Sequence, residues 1–477
     1  MALRRRNTPL GNLTRFLTAA ASSSNNTLDH LSVLAWGSGH QGVLGQGNAI
    51  PNDEFEPVEV SSEKNNLQLP PDIVGVGAGS FHSLAWTSEG QLFSWGRNNE
   101  GQLGRALAAT ELDFSVSPSA TIFLPGKYQV KSATGSGVAT FVITTDGLLL
   151  VVGSSKRGQL GLGSETISTS TFQHIPLPGK VLSVAAGWGH AAALVEDGSN
   201  TKMYTWGWPA HGRLGHSFAT CKEDEVEEAL GGRCVFEPKE IELLRGVKIN
   251  SIACGMDSTY AITQDGRLLS FGDNSLGQLG RTETMMENSQ FMEVPKDASG
   301  WEVRVPRESN SSKDVKFRKI APGLGHCLAV TGGGSVMSWG WNTASQVGLG
   351  EIAESEREIV YRPRLIFGVA KNRSAMIGAG RVHSVLITDE LHQEKVVTPT
   401  AFGRNWPGSL TMAYTWGSAA NGRLGTGTYE DAPFPELLNS LDGEMMVDLA
   451  CGMDHTLVLV GREAKGQGPL TAFSIEE

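Results

Sequence analysis

The sequence predicts an all-β protein, a seven-bladed β-propeller closed by N- and C-terminal segments that share one blade. Three observations lead to this fold: a module that recurs seven times, turn residues suited to short antiparallel strands, and complementary half-modules at the chain ends. A closed ring of such strands leaves only short, protected sheet edges. We expect residues 29–460 to form the propeller, between an N-terminal segment, 1–28, and a C-terminal tail, 461–477.

Each module has an apolar segment, a short turn, a second apolar segment ending in an aromatic residue and Gly, and a loop closing on Gly-x-Leu-Gly. Residues 184–215 show the whole module, and residues 76–104 and 252–280 repeat it. Alignment on the position after Gly-x-x, the slot position, gives His82, Val138, His190, Ser258, His326, His383 and His455. Alignment on the aromatic-Gly position gives Trp36, Trp95, Val152, Trp206, Phe271, Trp339 and Trp416. Both series have seven members, which predicts seven blades.

The turns within the modules have the chemistry of tight hairpins. An acidic residue precedes Gly in Glu89-Gly90, Asp146-Gly147, Asp197-Gly198 and Asp265-Gly266. Glycine adopts the positive φ that such turns require. The apolar segments on either side of them are therefore predicted to be paired antiparallel strands.

The chain ends complement each other. Residues 33–47 supply only the second half of a module, and residues 447–460 supply only the first half. Together they complete one blade, which predicts that the last blade joins both ends and holds the ring closed.

Composition and charge restrict the function. The chain has 59 Gly, and its 11 Trp outnumber its 6 Tyr, which favours many turns and few long helices. The formal charge is −11, and residues 1–28 hold four Arg and no acidic residue, so that the remaining body is near −15. A body of that sign is a poor general binder of polyanions, although local basic patches are compatible with it.

The N-terminal segment is typical of an organellar transit peptide. It is basic and rich in Ser and Thr, and its apolar residues Leu10, Leu13, Phe16 and Leu17 fall at helical spacing. The early arginines favour a mitochondrion over a chloroplast, and a merely disordered tail is the alternative. Apolar runs are far shorter than the roughly 18 residues of a membrane span, so no span is predicted.

The five cysteines indicate a reducing compartment. Cys254 and Cys451 occupy the same position of the module, and Cys327 follows a slot histidine. Equivalent positions of a ring lie far apart, so we expect small buried residues rather than disulfides. A pair between Cys221 and Cys234, which flank an acidic run at 222–228, is the one alternative.

The repeated pattern Ala-x-Gly-x-x-His, Trp-Gly-x-Asn and Gly-Gln-Leu-Gly resembles the repeat of the regulator of chromosome condensation family, over residues 31–460. The resemblance implies the seven-bladed propeller. It does not fix an activity, because propellers carry many functions. The founding member is a nuclear exchange factor for a small GTPase. A light-sensing branch repeats a Gly-Trp-Arg-His-Thr motif on adjacent blades, which only residues 187–191 approach here.

The slot histidines are interpreted as framework residues. One histidine per blade is too dispersed for a single metal, and Ser258 and Val138 replace histidine where packing alone is needed. The sequence has no Gly-x-x-x-x-Gly-Lys-Ser/Thr loop for a nucleotide. No catalytic residue, cofactor or metal is therefore predicted.

A partner surface is predicted from the two positions before each slot residue, which vary between blades. They are Ser80-Phe81, Ser136-Gly137, Trp188-Gly189, Met256-Asp257, Leu324-Gly325, Arg381-Val382 and Met453-Asp454. At equivalent turns they would ring one region, with Phe81, Trp188, Met256, Leu324, Arg381 and Met453 as partner-binding residues and Trp188 and Arg381 as anchors. The alternative is that several tuck inward against the next blade.

A basic patch is predicted from Lys313, Lys316, Arg318, Lys319, Arg362 and Arg364, with Lys371 and Arg373 nearby in sequence. Phosphate contact would be its sharpest use. It lacks the interleaved aromatic residues on which single-stranded bases stack, so RNA contact is expected to be indirect.

The presequence, the acidic body and the apolar ring favour the organellar branch of the family. That resemblance implies a non-catalytic platform for protein partners such as splicing factors, supporting mitochondrial RNA processing, including intron splicing, and so respiratory complex I assembly. The alternative is guanine-nucleotide exchange on an organellar small GTPase. An exposed acid would then compete for the GTPase lysine, and Asp257 and Asp454 are the candidates.

Overall fold

The computed structural model describes residues 30–47, 52–62, 67–105, 113–120, 128–216, 234–281, 301–305, 315–354, 357–389, 411–442 and 444–462. The strands form seven antiparallel blades and one small two-stranded sheet. The described helices are single 3₁₀ turns in loops. The all-β propeller prediction is therefore confirmed. The predicted transit peptide, the acidic run at 222–228 and Lys313 lie outside the described residues.

The N-terminal strands are β1 (His30–Gly37), β2 (Glu54–Glu59), β3 (Ser61–Ser62) and β4 (Leu67–Gln68). Blade 1 consists of β5 (Ile73–Ala78), β6 (His82–Thr87), β7 (Leu92–Arg97) and β8 (Phe114–Ala120). Blade 2 consists of β9 (Val130–Gly135), β10 (Ala139–Thr144), β11 (Leu149–Ser154) and β12 (Ser168–Ile175). Blade 3 consists of β13 (Val181–Ala186), β14 (His190–Asp197), β15 (Asn200–Gly207) and β16 (Val235–Glu240).

Blade 4 has three strands among the described residues, β17 (Ile249–Cys254), β18 (Ser258–Thr263) and β19 (Leu268–Gly272). Blade 5 consists of β20 (Phe317–Pro322), β21 (His326–Thr331), β22 (Val336–Trp341) and β23 (Ile359–Leu365). Blade 6 consists of β24 (Met376–Ala379), β25 (His383–Asp389), β26 (Thr411–Gly417) and β27 (Ala432–Leu437). The last strands are β28 (Met445–Cys451) and β29 (His455–Arg462), and β29 extends two residues past the predicted propeller boundary.

Blade 7 closes the ring as predicted. Its order is β2-β1-β29-β28, so the C-terminal strands are the inner pair and the N-terminal strands the outer pair. Strands β1 and β29 pair without interruption from His30↔Arg462 to Gly37↔His455. Opening the ring requires breaking this whole ladder, which explains how the chain ends hold the propeller closed.

Tryptophans from the aromatic-Gly series lock neighbouring blades together. All five are fully buried. Each indole Nε1–H donates to a carbonyl in the closing loop of the preceding blade: Trp36 to Arg423 (3.0 Å), Trp95 to Val43 (2.8 Å), Trp206 to Gln159 (2.7 Å), Trp339 to Gln278 (2.9 Å) and Trp416 to Gln346 (3.0 Å). A buried indole needs such an acceptor, so both packing and hydrogen bonding fix each blade against the next.

Prolines protect the outer edges of the blades. Five outer strands carry Pro at the same register, immediately before the residue that pairs with the third strand: Pro57, Pro118, Pro238, Pro363 and Pro435. Proline has no N–H to offer to another strand, so these edges resist edge-to-edge association.

Candidate functional site

The turns between the first and second strands of all seven blades surround one end of the central channel, which we call the mouth. The mouth encloses a cavity of about 210 Å³. Five of the six predicted partner-binding residues line it: Trp188, Met256, Leu324, Arg381 and Met453. All five are half-buried. The structure thus brings residues from five separate blades to one rim.

Backbone hydrogen bonds connect the rim from blade to blade. Amide groups donate to carbonyls of the next blade from Ser80 to Ser136 (3.0 Å), Trp188 to Met256 (2.9 Å), Leu324 to Gly380 (3.1 Å), Arg381 to Met453 (2.7 Å) and Met453 to Ser80 (3.2 Å). The backbone that carries the variable side chains is therefore part of the framework, while the side chains differ from blade to blade.

Phe81, the sixth predicted residue, lies beside the mouth rather than in it. Its ring packs edge-on against Trp188, with 6.3 Å between the two ring centroids. The Arg97 guanidinium lies over the Phe81 ring, 5.6 Å from its centroid. Trp188 reaches it by crossing Gly137, where an added Cβ would lie 2.9 Å from Trp188 Cε3. The absence of a side chain at Gly137 lets an aromatic pair span three blades.

The slot alignment was wrong by one residue in blade 2. Ala139, not Val138, pairs with Gly153 as His82 pairs with Gly96. Likewise, the Ser136 amide donates to the Ala139 carbonyl as the Gly79 amide donates to that of His82. The sequence alignment took Gly135 as the turn glycine, but its structural counterpart is Ala78, the last residue of β5.

The five slot histidines each bond a hydroxyl on the following blade. The Nε2–Oγ pairs are His82–Thr140 (2.7 Å), His190–Thr259 (2.9 Å), His326–Ser384 (2.8 Å), His383–Thr456 (3.2 Å) and His455–Ser83 (3.1 Å). The two slots without histidine, Ala139 and Ser258, face Ala191 and Cys327 at that position. Histidine and hydroxyl are present together or absent together, which identifies the pair as an inter-blade fastener.

The hydroxyls fix the histidine tautomer. Thr140 Oγ1–H donates to the Gln102 carbonyl (2.7 Å) and Thr259 Oγ1–H to that of Arg213 (2.7 Å). A hydroxyl has one hydrogen, so these oxygens accept from a histidine protonated on Nε2. Burial lowers the pKa of His82, His190, His326 and His383 to about 3 and that of His455 to about 4. The histidines are therefore neutral framework groups.

Blade 4 replaces the fastener with a different buried network. Ser258 Oγ–H donates to the Tyr260 hydroxyl (3.0 Å), which donates to the Gln278 carbonyl (2.7 Å). Cys327 of blade 5 lies 3.1 Å from the same hydroxyl. Burial raises the pKa of the Cys254, Cys327 and Cys451 thiols to about 12, so they stay protonated. These three cysteines are free thiols, and Cys221 lies outside the described residues.

Both aspartates considered for nucleotide exchange are already paired with arginine. Asp257 accepts from the buried guanidinium of Arg213, and Asp454 accepts from Arg381 (2.5 Å) and Arg423 (2.7 Å). Arg213 and Arg423 come from Gly-Arg-Leu-Gly closing loops. Sequence reasoning missed these pairs, because 44 and 31 residues separate the loop arginines from their acids.

A tryptophan in contact with two arginines, also missed from the sequence, lies next to the mouth. The guanidinium carbons of Arg157 and Arg213 lie 4.0 and 4.6 Å from the ring centroid of Trp208. An added Cβ at Gly189, the neighbour of Trp188, would lie 3.3 Å from this ring. The only sequence signal was that Trp208 directly follows an aromatic-Gly pair.

The predicted basic patch is not one surface. Arg318 and Lys319 belong to β20, the innermost strand of blade 5, whereas Arg362 and Arg364 belong to β23, the outermost. Three strand spacings, about 14 Å, separate β20 from β23. Spacing along the chain could not show that the two groups lie at opposite edges of one sheet.

Two of the inner basic side chains already donate hydrogen bonds to backbone carbonyls. Lys319 Nζ donates to Ser374 (2.9 Å) and Ala375 (2.7 Å), and Lys316 Nζ donates to Asp265 (2.6 Å). Burial lowers the pKa of Lys319. Arg318 remains exposed and lines a cavity of about 280 Å³ at the other end of the channel, together with Asp448.

The first and last described residues, His30 and Arg462, lie on the face opposite the mouth. Strand β1 enters at the His30↔Arg462 end of its ladder and reaches the mouth end at Gly37.

No helix of the described ranges has the length and hydropathy to cross a membrane. In the same part of the chain, no group of three His, Cys, Asp or Glu side chains is arranged to hold a metal ion.

Comparison with known proteins agrees with this architecture. The family model described as "RCC1-like domain" matches residues 32–458. The Arabidopsis thaliana Ultraviolet-B receptor UVR8 is 26% identical over 427 residues, 89% of this chain and 81% of that protein. The human Regulator of chromosome condensation is 28% identical over 474 residues, 96% of this chain and 97% of that protein.

A relative from A. thaliana carries a mitochondrial name. RCC1 domain-containing protein RUG3, mitochondrial, is 29% identical over 336 residues, which are 67% of this chain and 63% of that protein. Among solved structures, Prp20p from Saccharomyces cerevisiae superposes with a TM-score of 0.70 at 22% identity, covering 92% of this chain and 93% of that chain. This last likeness supports the fold alone.

Proposed function

Because the chain belongs to the RCC1-like domain family, we propose that it is a non-catalytic platform that docks protein partners on its mouth. One observation carries this proposal: Trp188, Met256, Leu324, Arg381 and Met453 converge from five blades on a single cavity. Large apolar side chains beside an arginine are typical of the few residues that dominate protein–protein affinity.

The rigid rim favours docking. Backbone hydrogen bonds join the turns across blade boundaries, so a partner meets side chains on a preordered frame. Less ordering on binding leaves more of the contact energy as affinity. A propeller of this kind gathers partners without performing chemistry on them.

We assign the platform to mitochondria, with the chloroplast as the alternative. The basic, amphipathic N-terminal segment supports an organellar address, and the mitochondrial name of RUG3 supports the first of the two. The family resemblance then suggests a role in RNA processing, namely intron splicing, and through it respiratory complex I assembly. Its partners would be splicing factors that hold the RNA, because the body is acidic and its basic side chains are dispersed.

Affinity purification of the tagged, processed protein from isolated mitochondria tests this function. We expect splicing factors together with intron-bearing transcripts. Trp188→Ala combined with Met256→Ala should remove the partners, whereas Phe367→Ala, which truncates a 77% exposed aromatic residue outside the mouth lining, should retain them. Retention of the same partners by the double variant would contradict docking at the mouth.

The second candidate function is exchange catalysis on an organellar small GTPase. The match to nearly the full length of the human Regulator of chromosome condensation favours it, because the resemblance implies exchange activity for that protein. Asp257 and Asp454 would first have to leave Arg213 and Arg423 to compete for a GTPase lysine. Release of fluorescent GDP from purified organellar GTPases decides this: acceleration by the protein supports exchange, and unchanged rates remove it.

A further inference from the structure

A second cavity lies beside the mouth, where blades 6, 7 and 1 meet across the closure of the ring. We call it the closure pocket. Its volume is about 200 Å³, and its lining includes Ser38, Ser80, Phe81, Arg381, Arg423 and Asp454. Ser80 and Arg381 also line the mouth, so the two cavities are neighbours. A partner seated on the mouth therefore lies beside the closure pocket.

The charged groups of the closure pocket do not balance. Two guanidinium groups, those of Arg381 and Arg423, share the single carboxylate of Asp454. His455, which also lines the pocket, is neutral, because burial lowers its pKa. Among these lining residues the positive charges exceed the negative ones by one; the Asp53 carboxylate, which accepts from Ser38, lies outside the lining.

One arginine in this pocket also has an unsatisfied donor. Arg381 uses Nη2 for Asp454, but its Nε–H is buried without an acceptor among the described residues. A buried guanidinium N–H without an acceptor is destabilising, and a carboxylate is its strongest partner. The excess charge and the unsatisfied donor both indicate an anion.

We propose that the closure pocket takes the carboxylate of an acidic side chain that the docked protein partner inserts between Phe81 and Arg381. The apolar wall of Phe81 suits the methylene stem of Asp or Glu, and Ser80 offers a hydroxyl donor beside the guanidinium, whereas the Ser38 hydroxyl already donates to Asp53 (3.1 Å). One carboxylate cancels one excess positive charge. A phosphate dianion would leave a negative charge next to Asp454, so the observations favour the acidic side chain.

This inference rests on the proposed docking at the mouth, but it is tested without the partner. The probe is difluoroacetate, a small carboxylate, added to the purified full-length protein and followed by ¹⁹F line broadening. We expect saturable binding that acetate displaces. Arg381→Gln should weaken it by about tenfold or more, since a charge-assisted donor pair is removed. Arg381→Lys, which keeps the charge but loses the Nε–H, should fall between the two.

Arg157→Gln is the matched control. It removes a positive charge beside Trp208 on the same face but outside the closure pocket, and binding should stay within about twofold of the native protein. Far-ultraviolet circular dichroism shows whether each variant is folded. If Arg381→Gln does not fold, Arg381→Lys still tests the pocket.

Three results would overturn the proposal: no saturable binding to the native protein, equal binding to Arg381→Gln, or displacement by inorganic phosphate at lower concentration than by acetate. The titration contains no partner, so its failure is separate from failure of docking, which the Trp188 and Met256 variants report. If carboxylate binding is confirmed and Arg381→Gln still captures the splicing partners with unchanged affinity, the partner does not use the pocket and the inference is wrong.

Discussion

Thr140→Val tests the inter-blade fastener most sharply. Valine keeps the shape of threonine but removes Oγ1, which accepts from His82 Nε2 and donates to the Gln102 carbonyl, each at 2.7 Å. His82 and Thr140 are fully buried, so two polar groups lose their partners where water does not replace them. At about 1–3 kcal/mol for each unsatisfied group, we expect destabilisation of about 2–6 kcal/mol.

Urea denaturation followed by tryptophan fluorescence measures this effect. Thr428→Val, on an exposed loop threonine, is the control and should change stability by less than about 0.5 kcal/mol. The natural Ala139–Ala191 junction predicts a further result: His82→Ala with Thr140→Ala should cost less than the sum of the two single changes, because neither leaves the other unsatisfied. Additive losses, or a Thr140→Val protein as stable as the control, would refute the fastener.

The remaining predictions concern pH, the mouth and the core. Burial lowers the pKa of five slot histidines from 6.5 to about 3 or 4, so their contribution to stability is complete above pH 6.5 and is lost as the pH falls toward 4. With His216, whose pKa burial lowers to about 4, the unfolded chain then binds up to six more protons, a slope approaching about 8 kcal/mol per pH unit, less at most one proton for Asp448, whose pKa burial raises to about 6. Urea midpoints that stay constant from pH 7.5 to 5 would contradict this pH dependence. Gly137→Ala should displace Trp188 from Phe81 and shift the tryptophan emission, whereas Gly332→Ala, where an added Cβ meets nothing nearer than 3.5 Å, should not; identical spectra would exclude the predicted crossing. Trp206→Phe should lower stability by about 1–3 kcal/mol, because the Gln159 carbonyl loses its indole donor, and a urea midpoint equal to the native value would show that packing alone holds the blades.

The repeat made most of the fold predictable from sequence. Blade number, ring closure and the buried tryptophans each follow from a local pattern that recurs seven times, so one misaligned copy does not alter the conclusion. The misplacement of Val138 shows the limit. Gly135 and Gly137 offer two turn glycines, and only strand pairing shows that Ala139 holds the slot.

The site was less predictable, because its contacts join residues distant in sequence. The repeat register placed five partner-surface candidates on one rim, but it could not show that Phe81 turns outward to Trp188 or that Arg423 reaches Asp454. The basic residues failed to form one patch for a related reason. A run of charges gives no information on which edge of a blade its strand occupies.

Site-specific photo-crosslinking in isolated mitochondria tests the central claim, docking at the mouth, most directly. A photoreactive phenylalanine analogue is placed at Leu324 or Met453 in the mouth and, as the control, at the exposed Phe367. We predict that both mouth positions form adducts with the same splicing factor and that position 367 does not. Two results would contradict the proposal that the mouth is the docking surface. One is adducts from position 367 alone; the other is adducts with different proteins at the two mouth positions, formed in equal amounts.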